Sequence, residues 1–305
     1  MRICLSITAI FIMPFVLLAT EKPVKVLLVD GFSNHNWQLN TALIRQILEP
    51  SGLFEVTVST APATSDSPGW EEWRPDFQAY DVVLQTCNDI NGGPKWPLAV
   101  QQEFEAYIRG GGSVFIYHSA NNAFADWEAY SKIIGIGWRK AHQGTALAMA
   151  NSGNVIRIPP GEGRGTGHGP RVDALITRLG DHPIHRGLPR KWKTPDMEIY
   201  YYPRGPAKDT EVLSYAYDVQ TAMNWPVEWV VKYGDGVAYS ATFGHVWHDD
   251  DQPERMRCAA VQTLMVRALY WLATKKDDLP VPTDFPTENA MSLRPEFKKT
   301  STSSR

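Results

Sequence analysis

Cysteine is scarce in this chain, three residues in 305, and Cys4 lies in an N-terminal segment that reads as removable. That leaves Cys87 and Cys258, which build no framework of paired cysteines. Cys258 shares a helical stripe with Val261, Met265, Ala268 and Leu272 and reads as a core residue. Neither sign of charge dominates: 30 Lys and Arg stand against 33 Asp and Glu, mixed along the chain. Nucleic acid and anionic membranes are therefore not expected partners. No G-x-S-x-G occurs, and no cysteine follows the strand 113-SVFIYHS-119 at its turn, so a serine or cysteine nucleophile elbow has no support. Ser119 has no recognisable triad. There is no internal repeat. Long apolar runs are confined to 1-MRICLSITAIFIMPFVLLAT-20, which has an early positive charge, a core too short for a convincing membrane span and small residues before Glu21. It reads as a secretory signal and predicts export to the periplasm or medium.

What is present is an alternation of short apolar runs and helical patterns, as βαβ units require. Strands are expected at 24–31, 54–60, 80–86 and 113–119, with helices at 37–49, 98–110 and 126–135. The second half reads as strands at 155–159, 198–203, 211–217, 227–234 and 236–244, with a hairpin at Gly234-Asp235-Gly236, before a helix over 253–273. The fold class is α/β, a mostly parallel sheet flanked by helices. One domain is expected over 21–274, followed by a polar, Pro-rich tail at 275–305 that wraps the surface or is disordered.

Sites in such sheets lie outside the carboxyl ends of the strands. There the sequence places His35 in 33-SNHNW-37, Asn88 and Asp89 after the third strand, and His118 at the end of 112-GSVFIYHSANNAF-124. An imidazole can move a proton near neutral pH or bind a metal, so their convergence matters more than any one of them. His245 follows another strand end, beside Trp247, His248 and an acidic run. His182 and His185 are expected to be structural. His168 lies in 161-GEGRGTGHGPR-171, read as a flexible lid offering Arg164 and Arg171 to an oxygen-rich substrate. Asp196 and Glu198, two apart before an expected strand, would point to one side and could divide acid and base work or hold a cation. Eleven tryptophans and twelve tyrosines suit carbohydrate rings.

The stretches 26-VLLVDGFSNHNWQ-38, 111-GGSVFIYHSANNAFADWEAYSKIIGIGWR-139, 165-GTGHGP-170, 182-HPIHRGLP-189, 196-DMEIY-200 and 233-YGDGVAYSATFGH-245 together resemble the ThuA-like (trehalose utilisation) family. The resemblance implies a class I glutamine amidotransferase-like, flavodoxin-like three-layer sandwich. His118 stands where that fold carries its nucleophilic cysteine, so glutamine amidotransfer is excluded. Where the family reads Asp-Glu-Leu-Tyr, this chain inserts Met197 between its acids. The resemblance implies carbohydrate catabolism on 3-keto-glycosides supplied by a sugar 3-oxidoreductase, by lyase, hydrolase or isomerase chemistry. It implies His118, Glu198 and His245 as catalytic groups and His35, Trp37, Asn122, His168 and Arg204 as substrate contacts. A divalent metal could sit among His35, His118 and His245. The alternative is a non-catalytic carbohydrate-binding or accessory protein. Oligomeric state is left open.

Overall fold

The protein is described here from a computed structural model covering residues 22–90 and 92–299. The expected signal segment lies outside the described residues. Strands β1 (Val24–Asp30), β2 (Phe54–Thr60), β3 (Val82–Gln85) and β4 (Ser113–Ile116) alternate with helices α1 (Trp37–Leu48), α2 (Leu98–Arg109) and α3 (Glu128–Ile134). Then come β5 (Thr145–Met149), β6 (Val155–Ile158), β7 (Gly167–His168), β8 (Val172–Arg178), β9 (Lys191–Met197), β10 (Tyr200–Tyr201) and β11 (Arg204–Gly205). The long antiparallel strands β12 (Thr210–Asp218), β13 (Met223–Tyr233) and β14 (Gly236–Ala241) precede α4 (Glu254–Arg257) and α5 (Ala259–Thr274).

The main sheet runs β2-β1-β3-β4-β14-β13-β12-β8-β9. Its first five strands are parallel and the rest antiparallel, with β13 carrying the expected hairpin to β14. Strand alternation sorts the core into two layers. Val26, Leu28, Leu84 and Phe115 face α1 and α5, while Leu27, Val29, Val83 and Val114 face α2 and α3. β3 and β4 are buried on both faces, which is why they read as unbroken apolar runs. α1 begins where the Asn36 side chain accepts the Leu39 N–H, and it buries Leu43, Ile44, Ile47 and Leu48 at helical spacing.

Three expectations need correction. The strand expected at 198–203 survives only as Tyr200–Tyr201, because the ladder belongs to the preceding β9, an edge strand that tolerates Pro195 at an irregularity. Asp196 has φ of 50°, so strand alternation is broken at that residue. The last helix is divided at Cys258, buried between α4 and α5. β5, β8 and β9 escaped the sequence reading. The Ala-rich β5 lacks the β-branched signature of a strand and is held by pairing with β6, β11 and β13. Residues after α5 wrap the domain: Phe285 packs on Trp192, Ser292 accepts from the Ala259 N–H, and Lys298 exchanges hydrogen bonds with Gln46. Among the described residues no helix is long and apolar enough to cross a membrane.

Candidate active site

Loops after β1, β3, β4 and β14 meet at the carboxyl edge of the parallel strands, bringing His35, Asn88, His118 and His245 together. The ring centroids of His35 and His118 are 5.2 Å apart, those of His35 and His245 4.7 Å, and those of His118 and His245 5.3 Å. Each ring offers a nitrogen lying within 4.8 Å of the other two. The approach to His245 needs Gly244, whose φ is +97° and whose missing Cβ would lie 2.0 Å from the Tyr117 hydroxyl.

Hydrogen bonds fix where the protons sit. Thr242 O can only accept, so His118 Nδ1, 2.9 Å away, carries its hydrogen and Nε2 keeps a lone pair. The tautomer of His35 follows from a longer chain. The Ile90 N–H donates to Asn88 Oδ1, so Asn88 Nδ2 points to Asn34 Oδ1 at 2.7 Å. That same oxygen receives His35 Nδ1–H at 2.9 Å, leaving His35 Nε2 unprotonated. His245 is the exception. Arg171 donates to its Nδ1 at 3.3 Å, placing the proton on Nε2, 3.2 Å from Glu198 Oε1.

Burial, and then the positive neighbours around it, lowers His35 to about 4. Burial followed by His35 lowers His245 to about 2, and the same causes hold His118 well below its ordinary value. The rings are therefore neutral at neutral pH, the form that binds a cation. Glu198, between β9 and β10, faces three imidazoles: His118 Nε2 and His168 Nε2 at 3.7 Å, and His245 Nε2. Among the described residues no hydroxyl or backbone N–H donates to it, and burial pushes its carboxyl above the ordinary range.

The site opens into a cleft of about 590 Å³ whose walls include Asn122, Trp138, His168, Arg171, Tyr200 and Trp247. Asn122 gives its Nδ2 to the Tyr200 hydroxyl, while its buried Oδ1 has no partner among the described residues. Arg139 pins the turn after β4 by donating to the carbonyls of Asn122 and Ala123.

Of the residues expected here from sequence, His35, Asn122, His168, Glu198 and His245 line the cleft, and His118 lies just behind it. Two expected substrate contacts do not belong. Trp37 opens α1 and is absent from the cleft wall. Arg204 is 0% exposed, and its guanidinium is spent on the carbonyls of Gly144, Pro159, Glu162 and Arg164, so it staples the loop rather than meeting substrate. That loop is also tied down by Thr166 and by pairing of β7 with β10, which replaces the flexible lid of the sequence reading. Asp196 turns to Arg171 and Arg255 and does not share proton work with Glu198. Asp89 accepts from the Phe124 N–H, a turn-holding role. His182 and His185 lie elsewhere, as expected, the latter in the core against Glu228. Sequence reasoning passed over Asn34, Trp138 and Tyr200, although each sits inside a motif that was already quoted.

Fold and site together define an α/β sandwich with an imidazole and carboxylate cluster at its carboxyl edge, in place of a thiol nucleophile. The family model described as trehalose utilisation (ThuA) matches residues 25–272, so the chain belongs to the ThuA family. A ThuA-like protein from Parabacteroides merdae is 32% identical, with a TM-score of 0.83 over 90% of this chain and 98% of its own. A second, from Bacteroides uniformis, shares the fold at 16% identity and a TM-score of 0.53, over 84% of this chain and 94% of its own. The search of curated proteins gave no match.

Proposed function

We propose that the protein is an exported carbohydrate-processing enzyme, with His35, His118 and His245 holding a divalent cation and Glu198 moving the proton. The observation that carries this is the convergence of three neutral imidazoles within 4.8 Å, beside a carboxylate to which, among the described residues, no hydroxyl or backbone N–H donates. The donor set suits a cation. Three imidazoles with one side left open match catalytic metal sites, and His35 and His118 are each oriented by an acceptor on Nδ1. For His245 to ligate through Nε2, its proton must shift to Nδ1 and Arg171 must release that atom, keeping Asp196. When bound, the cation would supply Lewis acidity to a carbonyl or enolate oxygen.

The remaining roles belong to side chains. Trp138 and Trp247 present aromatic surface to a sugar. On a 3-keto-glycoside, Glu198 takes the proton from the carbon beside the ketone, and that C–H electron pair becomes the new C–C double bond. The glycosidic C–O bond breaks, and the carboxylic acid formed on Glu198 returns its proton to the departing oxygen, which restores the carboxylate. A sugar-oxidising partner enzyme would supply such a substrate.

Metal analysis of the purified protein, before and after EDTA, tests this reading together with turnover of 3-keto-glycosides. Stoichiometric cation in the parent, its loss in His118→Ala, and turnover lost in Glu198→Gln with cation retained are the expected results. A parent that takes up none of Zn²⁺, Mn²⁺, Ni²⁺ or Co²⁺ overturns the metal assignment. Sugar binding without turnover leaves the accessory-protein reading.

A further inference from the structure

We infer that the protein has a separate site for the oxyanion of a small molecule, in a cleft on the antiparallel half of the sheet. This cleft has a volume of about 720 Å³, in the range of a small-molecule site, and shares no lining residue with the candidate active site. About 20 Å of strand separates the two, since Lys191 opens β9 and Glu198 directly follows its end. The floor of the cleft follows from strand register. Tyr215 on β12 and Lys191 on β9 lie directly opposite Thr177 on β8, so the three side chains share one face of the sheet. The neighbouring row of Ala216, Ile176 and Trp192 points the other way, into the core. Thr177 is only 7% exposed, yet its hydroxyl has no hydrogen-bond partner among the described residues. A hydroxyl so deep is normally satisfied, and the cleft is the side from which a partner can reach it.

The charge on the walls selects the ligand. Arg190 and Lys191 are exposed in the cleft, and neither side chain makes an ion pair or a hydrogen bond among the described residues. Arg178, close by in the chain, is instead spent on Asp181 and on the carbonyls of Leu188 and Gly180. Asn151 uses its Oδ1 to accept from Asn224, which leaves its amide N–H groups for the cleft. Guanidinium, ammonium, amide and two hydroxyls thus offer donors to one space, the arrangement that suits a phosphate, sulfate or carboxylate group. Among the described residues lining the cleft, Glu288 is the one acid, so an excess of one positive charge remains. Glu288 sits on the tail turn at 287–289. That wall is fixed, because the Lys193 N–H donates to Thr287 O and the Thr287 hydroxyl accepts from the N–H groups of Asn289 and Ala290.

The test is a titration of the isotope-labelled full chain with inorganic phosphate, sulfate and acetate at constant ionic strength, read from backbone amide resonances. At least one of the three should move the signals of Thr177, Lys191 and Tyr215 saturably, with a Kd of about 1 mM or tighter. Phosphate or sulfate binding ahead of acetate assigns the site to tetrahedral oxyanions, and the reverse order assigns it to carboxylates. Thr177→Val keeps size and charge but removes the buried hydroxyl, and should weaken binding about fivefold. Arg190→Ala, at an exposed side chain that the fold does not use, should weaken it about tenfold. Glu288→Gln should tighten it about twofold. The absence of a saturable shift at these residues overturns the site, as does binding that Thr177→Val leaves unaltered, which would reduce the cleft to exposed charge alone.

Discussion

Among the described residues, two buried imidazole and carboxylate clusters, His185 with Glu228 and the rim histidines with Glu198, are built to opposite ends. In the core, His185 Nε2 lies 3.2 Å from both oxygens of Glu228, and the hydroxyls of Ser214 and Tyr239 donate to the same carboxylate. At the rim, Glu198 faces three imidazoles with no hydroxyl or backbone donor among the described residues, and a cleft opens in front of it. Burial acts to raise both acids. At Glu228 the His185 ring and the converging hydrogen bonds outweigh it and hold the carboxyl below its ordinary value, whereas at Glu198 burial prevails. Burial alone therefore does not mark a site. Donors withheld from a buried carboxylate, with room beside it for a ligand, do.

The largest effect should come from the core pair. Glu228→Ala strands His185 and two hydroxyls, and should cost about 3–5 kcal/mol in urea unfolding, since one partner of a buried pair is removed. A loss under ~1 kcal/mol would mean that the core cluster is as loosely satisfied as the rim. The pH dependence has a definite sign. Because the folded carboxyl titrates below its ordinary value of 4.5, the contribution of Glu228 is complete above that pH and is lost as pH falls through the lower, folded value. Stability curves of the parent and Glu228→Gln should therefore converge on the acid side.

At the rim the expected changes are in cation affinity and not in stability. Asn34→Ala removes the group that orients His35 and should weaken Zn²⁺ binding about 10–100-fold, read by competition with a chelating dye. An unchanged affinity would show that the ring needs no such support. The smallest effect should come from Arg171→Ala, which takes a positive charge and a competing donor away from His245. Zn²⁺ should bind a few-fold tighter, by roughly 1 kcal/mol, and weaker binding would assign Arg171 a supporting part.

The sequence disclosed the first half of the sheet because β1, β3 and β4 carry continuous apolar runs, and it disclosed the rim histidines because they follow those runs directly. It hid what depends on partners distant in the chain. Nothing near Arg204 announces that four carbonyls will enclose it, and the Ala-rich β5 becomes a strand only through its neighbours. Asp196 and Glu198 looked equivalent by spacing, and the positive φ of Asp196 separates their fates. His118 was legible as the end of an apolar run, but the Thr242 carbonyl that sets its tautomer comes from a loop 124 residues later.

The amide relay from Ile90 through Asn88 and Asn34 to His35 means that the course of the backbone after β3 dictates which nitrogen of a ring several side chains away is basic. A loop shift at that strand end would thus register first as altered reactivity, with the packing of the domain left intact. The main chain here writes a chemical instruction that no single residue type in the site could carry by itself.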